Sequence, residues 1–247
     1  MKDPNDILEA QLVKLKLPAI REQYIEQAKV AVAKGLGHID YLTRLIDAEA
    51  QQRKERSILR RIRAARFPYI KTLDEYDFTY PKKIDRMKVQ DIFKLKFIKN
   101  CANVILVGAT GMGKTHLAIA LGYEACHQEI NTFFTTAIEM VNHLSAAQAA
   151  HRLEQELKRY IKPRLLVIDE LGYLPIDKHG ADLLFQIISA RYERASIVLT
   201  TNRIFKEWPE IFNHDAILTS AVLDRVVHHH ELVIIEGKSY RMRKPNE

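Results

Sequence analysis

Cysteine is nearly absent: Cys101 and Cys126 are the only two in 247 residues. They form no metal-ligand spacing and offer no disulfide framework, which excludes a disulfide-stapled secreted scaffold and fits a reducing compartment. Long apolar runs are missing as well. No stretch is long enough to span a bilayer, and Met1-Lys2-Asp3-Pro4-Asn5-Asp6 has no apolar core of the kind a secretory leader carries. The expectation is a soluble cytoplasmic protein with no membrane partner. Internal repeats are also lacking, and the alanine-rich patch at 146–150 is too short to count as low complexity. Glycine is sparse, nine residues in all, yet Gly108, Gly111 and Gly113 stand close together.

Acidic residues fall short of basic ones, 31 against 38, for a formal charge of +7 and a pI near 9.3. Such an excess suggests a polyanionic partner and says nothing of fold. Its location is more telling. Up to Arg66 there are fourteen Lys/Arg against nine Asp/Glu, and the remainder carries twenty-four against twenty-two, so the surplus is mostly N-terminal.

The clustered glycines belong to Gly108-Ala109-Thr110-Gly111-Met112-Gly113-Lys114-Thr115, entered from Val104-Ile105-Leu106-Val107 and followed by the helix-forming His116-Leu117-Ala118-Ile119-Ala120-Leu121. This strand, turn and helix grammar is that of a phosphate-binding loop, and its ligand is ATP or GTP. Glycines let main-chain N–H groups turn inward around an anion, and the helix that starts there adds the positive end of its dipole. Lys114 can reach the terminal phosphates and the Thr115 hydroxyl can hold Mg2+. These eight residues and His116 are the nucleotide-binding candidates.

Upstream of the loop the periodicity predicts helices over 7–15, 18–34 and 39–66, a small all-helical domain spanning 1–67. A Pro- and aromatic-spotted connector with a further helix at 84–98 fills 68–100. From 101 to 247 apolar runs at 104–107, 132–134, 165–168, 197–199 and 232–235 alternate with helical or turn-rich segments. That alternation predicts an α/β domain with a parallel sheet flanked by helices. After 235 only a short tail remains, so no C-terminal lid domain is expected.

Two more runs carry chemistry. Leu165-Leu166-Val167-Ile168-Asp169-Glu170 reads as a buried strand with two acids at its carboxyl end, where open α/β sheets bind ligands. Asp169 can hold the magnesium and Glu170 can polarise a water for attack on the terminal phosphate, which implies hydrolysis. Ile197-Val198-Leu199-Thr200-Thr201-Asn202 repeats the pattern, and the Asn202 amide can orient the attacking water or touch the phosphate.

Together these motifs resemble the AAA+ branch of P-loop NTPases. That resemblance implies a third-motif strand lying between the strands of the phosphate loop and the acidic pair. It also implies an arginine supplied by a neighbouring subunit, and Arg225, within Thr219-Ser220-Ala221-Val222-Leu223-Asp224-Arg225-Val226-Val227, matches that segment. An arginine so placed can stabilise charge on the transferred phosphoryl group only if subunits stack, so it carries a prediction of a homo-oligomer. Ser239-Tyr240-Arg241-Met242-Arg243 resembles the second-sensor segment of DnaC-type helicase loaders, with Arg241 at the matching position.

Over most of its length the chain resembles the IstB-type helper ATPases of bacterial insertion sequences. The segments that carry this are Asp169-Glu170-Leu171-Gly172-Tyr173-Leu174-Pro175, Thr201-Asn202-Arg203-Ile204-Phe205-Lys206-Glu207-Trp208 and Leu223-Asp224-Arg225-Val226-Val227-His228-His229. The resemblance implies ATP-dependent assembly on target DNA, delivery of that DNA to a transposase, and reset by hydrolysis. A DnaC-like helicase loader would share every nucleotide residue. A nucleoside or small-molecule kinase is disfavoured by the adjacent acids and by the lack of an arginine-rich lid. A nucleic-acid-binding module with a structural ATP site is the remaining alternative.

Double-stranded DNA has its own argument. Arg53, Lys54, Arg56, Arg60, Arg61, Arg63 and Arg66 crowd one predicted helix, and Arg53, Arg56, Arg60 and Arg63 share a face opposite Ile58, Leu59, Ile62 and Ala65. Such a unipolar face reads phosphates without sequence preference. The run His228-His229-His230 is not read as a metal site, because three adjacent histidines cannot all face one ion from a regular helix or strand. Trp208, Tyr173 and Phe78 are expected to be packing residues.

Overall fold

The computed structural model describes residues 4–237 and 239–240. The chain divides into two compact units, Met1–Arg60 and Arg61–Glu247. The first holds α1 (Pro4–Lys14), α2 (Pro18–Lys34) and most of α3 (His38–Ala65), which crosses the unit boundary. Pro18 opens α2 at a position that needs no N–H, and Gly35, in the left-handed region, closes it. The residue ahead of α2, Leu17, offers no capping side chain. Glu49 of α3 does this instead, accepting the N–H groups of Ala19 at 2.9 Å and Ile20 at 3.3 Å. Leu12, Ile20, Tyr24 and Leu45 form the small core around that contact.

In the second unit α3 ends before Arg66, whose φ of 60° breaks the helix two residues ahead of Pro68. The helix expected over 84–98 is two short ones, α4 (Arg86–Ile92) and α5 (Lys96–Lys99). Tight bonds from Lys94 N–H to Asp91 and Leu95 N–H to Ile92 end the first, and Leu95 turns left-handed so that its side chain is buried. Burial of that leucine outweighs helix continuity.

Then follow β1 (Asn103–Gly108), α6 (Lys114–His127), β2 (Thr132–Thr136), α7 (Ala137–Ala149), α8 (Leu153–Ile161), β3 (Leu165–Leu171), α9 (Lys178–Arg191), β4 (Ser196–Thr201), a 3-10 turn at Phe205–Glu207, α10 (Trp208–Ile211), α11 (Ala216–Val227) and β5 (His230–Ile235). The five strands lie in the order β2-β3-β4-β1-β5, and every pairing is parallel. The third-motif strand therefore runs between the strands of the loop and the acids. Strand periodicity divides the core in two. Ile105, Leu166, Ile168, Ile197 and Leu199 face α7, α8, α9 and α11, whereas Val104, Leu106, Leu165, Val167 and Val198 face α4, α5 and α6. Among the described residues no helical unit follows β5, and no helix is long and apolar enough to cross a membrane.

Candidate nucleotide-binding site

β1 delivers the chain into the glycine-rich loop, and α6 begins at Lys114 with Gly113 as its N-cap. Gly111 and Gly113 both have φ of 82°, a backbone that side-chain-bearing residues resist. Space excludes a side chain there too: a Cβ on Gly113 would meet a ring carbon of Tyr76 at 2.6 Å, and one on Gly111 would collide with Ser239. Lys114 folds back onto the loop, its Nζ donating to the carbonyls of Gly108 at 2.6 Å and Ala109 at 2.8 Å.

The acids arrive on β3 through an irregularity. Ile168 pairs with Leu199 and Leu171 with Thr201, so Asp169 and Glu170 together stand opposite Thr200, a β-bulge in a parallel pair. Glu170 takes a φ of 60° there, which turns its exposed side chain away from the sheet, while Asp169 stays buried. Thr200 Oγ1 donates to Asp169 Oδ1 at 2.5 Å and accepts the Glu170 N–H at 2.9 Å. Thr115 Oγ1 donates to the same carboxylate oxygen at 3.1 Å. Burial pushes the Asp169 carboxyl above its ordinary range, against the hydroxyls of Thr200 and Thr115 and the charge of Lys114. A buried carboxylate beside a hydroxyl is a hard-oxygen pair suited to a small divalent cation.

One cleft brings together Thr110 through His116, Glu170, Thr200, Thr201 and Asn202. Sequence reasoning missed Thr200, whose only signal was a second polar residue at the end of an apolar strand. It also missed the wall contributed by the connector and the tail. Tyr76 donates its hydroxyl to Met112 O at 3.2 Å and meets the His116 ring edge-on at 5.4 Å, and burial pushes that hydroxyl up to about 12. His116 sits 2.8 Å from the Thr72 carbonyl through Nε2 and thus faces the connector. On the other side Tyr240 N–H donates to Gly111 O at 2.9 Å, and Tyr80 hydroxyl to Ser239 O at 3.0 Å.

Tyr173, expected to pack, is instead 60% exposed and lines this cleft, because the turn after the bulge carries it outward from the sheet. Trp208 is wholly buried in the core, as expected. Arg225 lines a different cleft, with its guanidinium donating to Ala221 O at 2.9 Å and lying 4.9 Å from the Phe185 ring centre. Arg241 lies outside the described residues.

On α3, Arg53, Lys54, Arg56, Arg60 and Arg63 are exposed, and so is Arg66 just past its end. Arg53 is held by Glu49 at 2.9 Å and by the Lys16 carbonyl at 2.9 Å, whereas Arg61 is half-buried and 3.8 Å from Glu129. The opposite face is less apolar in its packing than expected, since Leu59 is 54% exposed while Ala65 is fully buried.

The family of IstB-like ATP-binding proteins matches residues 10–247. An ATP-binding protein of insertion sequence IS5376 from Geobacillus stearothermophilus is 40% identical over 231 residues, 94% of this chain and 92% of that one. Its counterpart in insertion sequence IS21 from Pseudomonas aeruginosa is 38% identical over 237 residues, covering 96% and 89%. Among solved structures, the DnaC helicase loader superposes with a TM-score of 0.54 at 23% identity over 67% of this chain and 96% of that one. DnaI does so with a TM-score of 0.58 at 18% identity over 70% and 93%. These two show that the chain shares its fold with DnaC and DnaI. With its phosphate loop, acidic strand and near full-length relatives, the chain belongs to the IstB-like ATP-binding proteins.

Proposed function

We propose that this protein is an ATP-hydrolysing helper of transposition, which assembles on double-stranded target DNA, delivers it to a transposase and is reset by turnover. The observation that carries the reading is the convergence of Lys114, Thr115 and Glu170 in one cleft, with Asp169 of the same bulge bonded to Thr115. Thr115 and Asp169 would hold Mg2+, which would supply neutralisation of the charge that develops on the phosphates. Lys114 leaves its loop carbonyls to bind the terminal phosphates, and the loop N–H groups cradle them. Glu170, carried out of the sheet by the bulge, accepts a proton from the attacking water, and Asn202 orients that water. Arg225, which lies outside the cleft of its own chain, reaches the phosphoryl group of a neighbouring copy in a stack. Arg241 is assigned to nucleotide sensing on the resemblance alone.

The basic residues of α3 meet the DNA backbone, and Arg56, Arg60 and Arg63 are each exposed. The names of the relatives favour transposition over helicase loading, since they belong to insertion sequences. The test is Glu170→Gln. It is expected to bind ATP and form the same ATP- and DNA-dependent assembly by sedimentation while phosphate release falls by about a hundredfold or more. Undiminished phosphate release in that variant would overturn the assignment, and an assembly that ignores ATP would overturn the switch.

A further inference from the structure

Sequence spacing hides a cluster at the far end of α11. His228 caps the C-terminus of that helix, His229 follows it, and Glu193 comes from the turn between α9 and β4. All three side chains are exposed, and one ligand atom from each lies within 4.8 Å of the other two. The His228 and His229 rings are 4.0 Å apart, and His228 Nδ1 is 3.9 Å from a Glu193 carboxylate oxygen. We propose that His228, His229 and Glu193 form a binding site for a borderline transition-metal ion such as Zn2+, separate from the nucleotide cleft.

The chemistry suits that ion class. Two imidazoles and one carboxylate are a recognised set for zinc, and three protein ligands leave a fourth position for water. Hard cations such as Mg2+ prefer oxygen and would not select this site. Two features support the ligands. The Tyr192 hydroxyl is 2.8 Å from His228 Nδ1 and holds that ring in place beside Glu193. A cation at the C-terminus of α11 also meets the negative end of the helix dipole. Arg225 lines the same cleft as Glu193 and His229, but its guanidinium is turned to Ala221 O and the Phe185 ring. Only two of the three consecutive histidines are used. His230 enters β5 and its Nδ1 is 2.6 Å from the Val227 carbonyl. The objection that three neighbours cannot share an ion therefore falls away, because the third ligand comes from a distant turn. An ion here fastens the end of α11, close to Arg225, to the α9–β4 turn.

The experiment uses the full chain, stripped with a chelator and free of nucleotide. ZnCl2 is titrated by calorimetry, and CoCl2 by the visible absorption that four-coordinate cobalt shows. Wild type is expected to bind a single equivalent, His229→Gln to weaken it by about tenfold or more, and Glu193→Gln to weaken it several-fold. His38→Gln, an exposed histidine of the N-terminal unit, is the control and is expected to change nothing. Circular dichroism and ATP affinity of the variants check that they are folded. Absence of a stoichiometric site in the wild type, or affinity that survives both substitutions, would overturn the proposal.

Discussion

Arg191 ends α9 with only 1% of its surface exposed, and its guanidinium takes its partners from the main chain. It donates to the carbonyls of Tyr160 at 2.7 Å, Ile161 at 3.2 Å, Pro163 at 2.9 Å, Arg164 at 3.4 Å and Ser196 at 2.6 Å. Burial, with the charge of Arg164, lowers its pKa to about 10, so it remains a cation at neutral pH. Those carbonyls lead out of α8, into β3 and into β4, so one side chain clamps the roots of the two strands whose other ends carry Asp169 and Thr200. In Arg191→Met the apolar volume is largely kept and the donors vanish. Each buried carbonyl left without a donor costs about 1–3 kcal/mol. Arg164 O keeps the N–H of Ser196 at 3.2 Å, and the variant no longer desolvates a guanidinium, so the costs do not simply add. A net loss of about 3–5 kcal/mol is expected, a large share of the roughly 5–15 kcal/mol that holds a typical domain.

The assay follows from the sequence. Trp208 is the single tryptophan and is wholly buried in the same core as α9, so its fluorescence reports the second unit alone. Urea titration of wild type and Arg191→Met should show a lower midpoint at similar slope, and Arg191→Lys, with three donors in place of five, should fall between. ATP affinity measured where the variant is still folded should be unchanged, because the clamp is at the opposite ends of the strands. A stability change below about 0.5 kcal/mol in Arg191→Met would refute the reasoning, since a surface substitution costs no more.

Asp169→Asn should stabilise the nucleotide-free protein while abolishing turnover. The folded-state pKa of Asp169 is raised by burial, so its contribution to stability is full below the unfolded pKa and is lost as pH rises through the folded one. Thermal melts should therefore show the variant gaining on wild type as pH rises from acid to neutral, and a gap that closes on that path counts against it. Thr200→Val removes the donor to Asp169 and the acceptor for Glu170 N–H. Its turnover should drop about 10–100-fold with a smaller effect on ATP affinity, and turnover within about twofold of wild type would contradict the role given to Thr200. Duplex DNA affinity should fall steeply with salt, and Arg56→Gln should reduce the slope of log K against log salt by about one. An affinity indifferent to salt would remove α3 from the DNA interface.

Those elements whose signal is local were legible. The phosphate loop is one contiguous stretch in which glycine, lysine and threonine positions follow from a single anion-binding geometry. The inner strands β1, β3 and β4 were legible because both faces of a parallel sheet are covered, which makes each of them a run of apolar residues, whereas edge strand β2 offers only Phe133-Phe134 and edge strand β5 leaves Ile234 exposed. The helix expected over 84–98 failed for the same kind of reason in reverse. Periodicity there reports which residues are buried, and Leu95 is buried, but it cannot report that a left-handed turn at Leu95 is how burial is achieved. Arg191 was invisible because a cation in the last turn of an amphipathic helix reads as a solvated cap.

At the candidate site the decisive contacts join residues far apart in sequence. Thr115 meets Asp169, and Thr200 meets both Asp169 and Glu170, through strand order rather than through any spacing. With β4 lying between β1 and β3, its last residues are the neighbours of the phosphate loop on one side and of the acids on the other. A polar residue at the end of that strand can therefore govern two motifs at once. The bulge adds what an unbroken strand could not. In regular β3 consecutive side chains would point to opposite faces, sending Asp169 and Glu170 apart. Placing both opposite one threonine lets Asp169 stay buried against Thr115 while Glu170 turns into the open cleft. Adjacent acids thereby take different work, one at the buried hydroxyl pair and one toward water, and it is the left-handed backbone at Glu170 that separates them.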